Sequence, residues 1–253
     1  MKLSIIIPFF NEEKNVLPVL AEVAQHHPDA EIIAVDDGSR DRTWLMLSTE
    51  PGIRTHRFGR HLGQSAAVYA GLVLSTGDIC VILDGDGQSS IADIKALLAH
   101  FPEHDFVNGR RLHRHDTPGR ILASRAANFV RDLLTNDGMH DTGCTPKALK
   151  RECVDHLVPF DGLHRFIPAL LTSAGFRGIE VPVAHHARLH GRTHYSSWPR
   201  AFRGLWDLVG VRWWMARQLD VGAMGLSSAP DRSRLRLDDA SCPVDFSRPD
   251  DSG

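Results

Sequence analysis

Short apolar runs that end in polar residues recur along the first part of the chain. Residues 3–7, 31–35 and 81–83 form such runs, and each has the length of a buried strand. Between them, apolar residues with helical spacing predict helices over 11–26 and 66–74. Strands that alternate with helices predict an α/β fold with a mostly parallel central sheet and helices on both faces. In such a sheet, ligands bind beyond the carboxyl ends of the strands.

The same periodicities predict the remaining elements. Asp41 is expected to cap a helix that carries Trp44, and Gly77 is expected to cap the C-terminus of the 66–74 helix. The further predicted strands are 53–58, 105–108 and 178–183, and the further predicted helices are 91–101, 118–134, 151–157 and 164–174. Aromatic and aliphatic residues alternate with arginines over 198–217, which predicts an amphipathic helix there.

The chain is expected to form one domain over residues 1–218. Residues 219–253 are rich in Ser, Pro, Asp and Arg, a composition that predicts a disordered tail. The N-terminus lacks the apolar stretch of a signal peptide, and no run of about 18 apolar residues predicts a membrane-spanning helix. None of the four cysteines forms a CxxC pair, which favours a reducing, cytoplasmic setting.

The most informative segment is Asp84-Gly-Asp-Gly-Gln88, which follows the strand at 81–83. Residues two apart on extended backbone point the same way, so Asp84 and Asp86 are candidates to hold one cation. Mg²⁺ and Mn²⁺ prefer oxygen ligands and often join a carboxylate to substrate phosphates. The alternative is a glycine-rich turn whose aspartates only tolerate the backbone conformation.

A second acidic segment, residues 36–39, follows the strand at 31–35. Carboxylates at such a position accept hydrogen bonds from ribose hydroxyls or a base in nucleotide-binding sheets. Taken alone, this segment is better explained as a turn. The presence of two acidic strand ends in one sheet favours a nucleotide at the first and a metal-bound diphosphate at the second.

Charge and the missing motifs narrow the function. With 29 basic and 31 acidic residues, the net charge of −2 gives no overall field for nucleic acid, so an anion site must be local. The chain contains neither GxxxxGK[ST] nor GxGxxG, HExxH or GxSxG. Arginine side chains bind phosphate oxygens bidentately, and Arg111, Arg120 and Arg188 are candidates to hold a second anionic substrate.

Four motifs in order carry a family resemblance: residues 5–12 (IIIPFFNE), 35–39 (VDDGS), 84–88 (DGDGQ) and 141–144 (DTGC). With them, residues 3–217 resemble the family 2 glycosyltransferases of GT-A fold, and most of all the polyprenyl-phosphate branch that includes dolichyl-phosphate mannose synthase. The resemblance implies inverting transfer of a hexose from a nucleotide-diphosphate sugar, GDP-mannose or a UDP-hexose, to a polyprenyl phosphate. It also implies a role in cell-envelope glycan synthesis.

The resemblance assigns roles to residues of the matching motifs. The nucleotide-sugar site would comprise Pro8, Asn11, Glu12, Asp37, Gly63, Gln64, Asp84, Arg188 and His194. Asp84, Asp86 and Gln88 would surround Mg²⁺ or Mn²⁺, and Arg111 and Arg120 would hold the acceptor phosphate. Asp141 would lie beside the sugar and acceptor, and together with Asp86, Arg111 and Arg120 it completes the expected catalytic set.

The chain departs from the family pattern at three places. His61 stands where Asn is usual, and His194 stands where Lys is usual. Because a histidine is mostly uncharged at neutral pH whereas a lysine is charged, His194 is expected to make stabilisation of the leaving diphosphate weaker or pH-dependent. As a third departure, this chain is expected to have none of the membrane helices that many bacterial relatives append. The amphipathic helix at 198–217 is expected either to lie in the membrane interface or to pack on the sheet.

Two other functions remain open. A family 2 transferase acting on a saccharide or other soluble acceptor needs a carboxylate base, for which Asp141 is available. A nucleotide-binding subunit with weakened catalysis is the second. The expected partners are a nucleotide sugar, a polyprenyl phosphate and the cytoplasmic face of the membrane, with no nucleic acid; the oligomeric state is left open.

Overall fold

The computed structural model describes residues 1–101, 103–111, 131–132, 134–186 and 197–218, with side chains from residue 204 onward in the last helix. The first part of the chain forms β1 (Leu3–Phe9), α1 (Val16–His26), β2 (Glu31–Asp36), α2 (Thr43–Thr49), β3 (Arg54–Arg57), α3 (Gln64–Leu74), β4 (Ile79–Ile82) and α4 (Ile94–Leu98). The second part forms β5 (Phe106–Arg111), β6 (Lys147–Lys150), α5 (Arg151–Val154), α6 (Leu163–Ser173), β7 (Gly178–Val183) and α7 (Ser197–Met215).

These strands form one seven-stranded sheet in the order β3-β2-β1-β4-β6-β5-β7. The pairs β3–β2, β2–β1, β1–β4 and β5–β7 are all parallel. Among the strands of the described residues, only β6 is antiparallel to both of its neighbours, β4 and β5. The predicted mostly parallel sheet is therefore confirmed, and β4 and β5 run in the same direction. Asp84 and Arg111 consequently lie at the same edge of the sheet.

Helices cover both faces of the sheet, because the buried strands carry apolar side chains on both faces. Ile5 and Ile7 pack on the face covered by α1, α2 and α4, whereas Ile6 packs on the face covered by α3, α5, α6 and α7. All three isoleucines are fully buried. Successive residues of a strand point to opposite faces, so one strand supplies apolar side chains to two cores.

The structure corrects two local expectations. Helix α1 begins at Val16, not at residue 11, because Asn11 adopts a left-handed backbone conformation (φ 54°) in the loop after β1. Gly77 does not cap α3, which ends at Leu74 and is followed by Ser75 in an extended conformation. Instead the Gly77 N–H donates to Ser4 Oγ (2.8 Å), where the chain turns to run beside β1.

The last helix, α7, packs through Leu208 and Val211 against the face that also carries α6. The predicted 118–134 helix lies almost wholly outside the described residues. In the part of the chain that the structure describes, no helix combines the length and the apolar character needed to cross a bilayer.

Candidate active site

Asp84 and Asp86 directly follow the buried end of β4, as the sequence predicts. The residue between them must be glycine, because a Cβ at Gly85 would lie 2.6 Å from Phe9 Cδ1 and 2.7 Å from the Pro8 carbonyl oxygen. Two neighbours orient the first carboxylate: Gln64 Nε2 donates to Asp84 Oδ1 (2.8 Å) and Thr145 Oγ1 donates to Asp84 Oδ2 (2.7 Å).

Burial raises the pKa of Asp84, and the charge of Asp86 raises it further. The hydrogen bond from Thr145 and the positive charges of Lys147 and Arg111 oppose this rise in pKa but do not cancel it. The two carboxylates therefore repel each other in partly desolvated surroundings. A bound cation would relieve that repulsion.

The donor set fits a hard divalent cation. Among the described residues, no three His, Cys, Asp or Glu side chains come together as a metal cluster. What the strand end offers instead is the carboxylates of Asp84 and Asp86 and the amide of Gln88, whose Nε2 is turned to the His186 carbonyl oxygen (3.3 Å). Mg²⁺ usually keeps waters and takes substrate phosphates beside one or two protein carboxylates, so a set of this size suits it.

Arg111 and Asp141 form a bidentate ion pair beside the acidic strand end. Arg111 Nε donates to Asp141 Oδ2 and Nη2 donates to Oδ1, both at 2.7 Å. These hydrogen bonds raise the pKa of Arg111, against the opposing effect of burial. A guanidinium has five N–H groups, so the pair with Asp141 leaves three of them for an anion. The fixed side chain is suited to bidentate phosphate binding.

Asp141 is itself fixed from several sides. Its N–H donates to Glu180 Oε1 (2.8 Å), and Asn108 Nδ2 donates to its carbonyl oxygen (3.1 Å). Glu180 on β7 and Asn108 on β5 thus hold the turn that carries Asp141. The sequence predicted both members of the ion pair but not that they bind each other.

The structure adds three site residues that the sequence reasoning missed. Thr145 links Asp84 to Ser89, whose hydroxyl lies 2.8 Å from Thr145 Oγ1. Lys147 is 4 % exposed and donates from Nζ to the Cys144 carbonyl oxygen. The charges of Asp84, Asp86 and Asp141 all act on His185, which places its ring in the same site.

Burial lowers the pKa of Lys147 and also that of His185, although nearby carboxylates oppose the shift in both. The sequence did not single out Lys147, because the four-residue strand that buries it was not recognised. Nothing in the sequence distinguishes His185 from the other histidines.

The ends of β1 and β2 form the other half of the site. The Asn11 N–H donates to Ser39 Oγ (2.9 Å), and Asn11 Oδ1 accepts a hydrogen bond from the Arg40 N–H (2.8 Å). The Glu12 N–H donates to Thr43 Oγ1 (2.9 Å). These bonds join the two loops that carry the predicted nucleotide contacts.

Asp37 joins the end of β2 to the turn before α3. Its carboxylate accepts hydrogen bonds from the Leu62 N–H (2.7 Å) and the Gly63 N–H (2.9 Å), and its Oδ2 lies 2.8 Å from His61 Nδ1. Burial raises the pKa of Asp37, and the donors from Leu62, His61 and Gly63 oppose that rise.

One edge of the sheet therefore brings together most of the predicted site. Gln64 connects its two halves, because it begins α3 next to the Asp37 turn and binds Asp84. The predicted residues at this edge are Pro8, Asn11, Glu12, Asp37, Gly63, Gln64, Asp84, Asp86, Gln88, Arg111 and Asp141. Arg120, Arg188 and His194 lie outside the described residues, and their roles stay predictions.

The chain is similar in sequence to several curated proteins. It is 33% identical over 229 residues to dodecaprenyl-phosphate galacturonate synthase of Rhizobium johnstonii, and the aligned region covers 85% of the chain and 68% of that protein. It is 35% identical over 218 residues to undecaprenyl-phosphate 4-deoxy-4-formamido-L-arabinose transferase of Enterobacter sp. (strain 638), covering 82% of the chain and 66% of that protein. The chain thus spans about two thirds of the length of these relatives.

The fold is also found in solved structures. Glucosyl-3-phosphoglycerate synthase from Mycobacterium tuberculosis, in complex with Mn²⁺, UDP-glucose and phosphoglyceric acid, superimposes with a TM-score of 0.62 over 87% of this chain and 81% of that one, at 18% identity. The model of glycosyl transferase family 2 matches residues 4–158, more than half of the chain. The protein therefore belongs to glycosyl transferase family 2, as its motifs predict.

Proposed function

We propose that this protein transfers a sugar from a nucleotide diphosphate to the phosphate of a polyprenol. The observation that carries the proposal is the position of Arg111, which Asp141 fixes within electrostatic range of Asp84 at one sheet edge. An acidic site for a metal-bound diphosphate then faces a guanidinium for a second phosphate. The names of the two curated relatives support a polyprenyl phosphate as the acceptor.

The donor diphosphate is assigned to the acidic strand end. Asp84, Asp86 and Gln88 would hold Mg²⁺ or Mn²⁺ there, and the structural neighbour that contains Mn²⁺ and UDP-glucose supports a divalent cation beside a nucleotide sugar in this fold. When bound, the cation would neutralise the negative charge that develops on the departing diphosphate. Gln64 and Thr145 fix the Asp84 carboxylate in advance, so little reorganisation is needed when the donor binds.

The acceptor phosphate is assigned to Arg111, with Arg120 as a further predicted contact. A phosphate monoester is already an anion at neutral pH, so it needs orientation more than deprotonation. A phosphate oxygen forms the new bond to the anomeric carbon while the bond to the diphosphate breaks and its electron pair leaves with the diphosphate. A single displacement of this kind inverts the anomeric configuration.

The geometry disfavours the soluble-acceptor alternative. A hydroxyl acceptor needs a general base, and Asp141 is the candidate for it. Both Asp141 oxygens accept charge-assisted hydrogen bonds from Arg111, so they are turned to the guanidinium and not to an acceptor hydroxyl. An acceptor that carries its own negative charge avoids this difficulty.

Contact with a membrane surface is proposed for α7. Its outward side chains include Trp206 (79 % exposed) and Trp213, and the Arg217 guanidinium lies 5.3 Å from the Trp213 ring centroid. Beside them is an apolar groove of about 570 Å³, lined among others by Phe160, Leu170, Trp206, Val211 and Trp214. Aromatic side chains next to arginines are typical of helices that lie in the interface of an anionic membrane.

The experiment that tests the function separates the two substrates. Arg111→Lys keeps the charge but removes the fork that pairs with Asp141, so we expect the KM for polyprenyl phosphate to rise about tenfold or more. Because Arg111 is assigned to the acceptor and not to the donor, the KM for the nucleotide sugar should change less than twofold, which corresponds to about 0.4 kcal/mol. Equal rises in both KM values would contradict the assignment of Arg111 to the acceptor.

The identity of the donor requires a panel of nucleotide sugars. UDP-galacturonate, UDP-glucose and GDP-mannose, each titrated with Mn²⁺ in a thermal-shift experiment, report binding because a ligand of the native state raises Tm. The ligand that raises Tm most is then the donor to use in turnover.

A further inference from the structure

The Asp37 carboxylate is occupied by protein donors. Its side chain is 3 % exposed, and it binds the N–H groups of Leu62 and Gly63 together with Nδ1 of His61. Gly38, which follows it, has a φ of +69° and lies so close to the turn that a Cβ would come within 2.4 Å of the Arg60 carbonyl carbon. The carboxylate therefore serves to hold the turn at 60–63 against the end of β2.

His61 is the polar side chain that this arrangement presents to solvent. Its side chain is 45 % exposed, and its ring stacks on Phe10 with centroids 3.9 Å apart and planes inclined by 22°. In the described part of the chain, its Nε2 makes no hydrogen bond. Two contacts thus fix the plane and the direction of the imidazole, while one ring nitrogen stays available.

The partner of Nδ1 decides what Nε2 can bind. Because a carboxylate accepts, Nδ1 of His61 must carry a hydrogen, and in the neutral imidazole Nε2 is then the acceptor. An acceptor of this kind recognises an N–H group that lies in the plane of the ring.

We propose that His61 reads the nucleobase of the donor by accepting a hydrogen bond from its imino N–H, and that Asp37 acts through His61. The proposal rests on the proposed function, since it needs a nucleotide at the ends of β1 and β2. Uracil carries such a hydrogen on N3 and guanine on N1, whereas cytosine and adenine carry none on the corresponding ring nitrogens. The base class is therefore uracil or guanine.

A base that binds in the plane of the imidazole also runs nearly parallel to the ring of Phe10, because Phe10 and His61 are stacked. Because the imidazole itself covers this face of Phe10, the contribution of Phe10 is to fix the plane in which His61 accepts the hydrogen bond. Discrimination between bases then falls to His61. A site built around one hydrogen bond rejects an analogue that lacks the donor, since the polar group of the site is left unpaired.

The test measures the affinity of nucleoside diphosphates by calorimetry with Mn²⁺. It compares different bases in the parent protein and then the same bases in a His61 variant. We expect the parent protein to bind UDP about tenfold more tightly than CDP and than 3-methyl-UDP, which lacks the imino hydrogen. If GDP is the tighter ligand, 1-methyl-GDP takes the place of 3-methyl-UDP. In His61→Ala the preference should fall below about threefold.

Two variants separate recognition from folding. His61→Asn retains an acceptor oxygen and should keep part of the preference. His56→Ala is the matched control, because His56 lies on β3 nearby with its ring edge-on to Phe58, and it should bind as the parent does.

The possible failures are distinguishable. Equal binding of UDP and CDP by the parent, or a preference that survives in His61→Ala, would overturn the role of His61 and leave the transferase proposal intact. Failure of the parent to bind any nucleoside diphosphate would instead overturn the proposed function.

Discussion

Thr145→Val isolates the contribution of one hydrogen bond to the acidic site. The substitution replaces the hydroxyl by a methyl group of similar size and removes the donor that lies 2.7 Å from Asp84 Oδ2. A hydrogen bond to a charged group contributes about 1.5–3 kcal/mol. The loss of this bond therefore raises the pKa of Asp84 further above its ordinary value.

The direction in which Thr145→Val changes activity follows from the negative charge that Asp84 must carry to bind a cation. The pKa of Asp84 already lies above its ordinary value, chiefly because of burial. Thr145 stabilises the charged form, so its loss moves the pKa higher still. Protonated Asp84 does not bind a cation, and metal-dependent activity should therefore fail at a higher pH in Thr145→Val than in the parent.

The assay is the pH dependence of turnover at fixed Mn²⁺, measured from about pH 5 to pH 8. We expect the acid limb of the profile to move to higher pH in Thr145→Val, because Asp84 is then protonated at a higher pH. Ser89→Ala is the matched control, because it removes the other partner of the Thr145 hydroxyl and leaves the bond to Asp84. Identical acid limbs in Thr145→Val and the parent would refute the reasoning.

Three further predictions follow from named contacts. Asp86→Ala should abolish metal-dependent turnover with an unchanged circular dichroism spectrum, and near-normal activity of the parent in EDTA would contradict the metal assignment. Trp206→Glu should lose co-sedimentation with anionic liposomes, whereas Leu45→Glu, at an exposed apolar position on α2, should not; equal losses would place the membrane contact elsewhere. Burial alone would raise the pKa of Asp105, but hydrogen bonds from Lys150 Nζ and the Arg177 N–H lower this pKa overall. The charged Asp105 carboxylate therefore stabilises the folded protein at neutral pH, and this contribution is lost as the pH falls through the lowered pKa. Asp105→Asn should therefore lose less Tm than the parent between neutral and acidic pH, and equal losses would contradict this contribution.

The parallel part of the fold was predictable from local pattern. Strands β1, β2 and β4 are short apolar runs that end in polar residues, and their carboxyl ends had to meet at one edge. The positions of Asp37, Asp84 and Asp86 at that edge follow from the pattern alone. The position of β7 was also predicted, with the same bounds as in the structure.

The contacts that orient the site were not predictable in the same way. Strand β6 reads Lys-Ala-Leu-Lys, too short and too polar to be recognised, yet it is the antiparallel strand between β4 and β5. Thr145 precedes this strand and reaches Asp84 across 61 positions of sequence. Such a contact depends on strand order, which no local periodicity contains.

The pairing of Arg111 with Asp141 has the same origin. The two residues are 30 positions apart and meet because β5 and β6 are neighbours in the sheet. Sequence reasoning assigned one to the acceptor and left the other open as a base. From their bidentate bond we propose that Asp141 positions Arg111.

The central claim is tested most directly by the transfer of labelled sugar into lipid. The purified protein is incubated with Mn²⁺, polyprenyl phosphate and the radiolabelled nucleotide sugar that raises its Tm most, and the organic phase is then counted. We expect label in the organic phase that depends on polyprenyl phosphate and disappears with EDTA. Label that stays in the aqueous phase, either as intact donor or on a soluble acceptor, would contradict the claim.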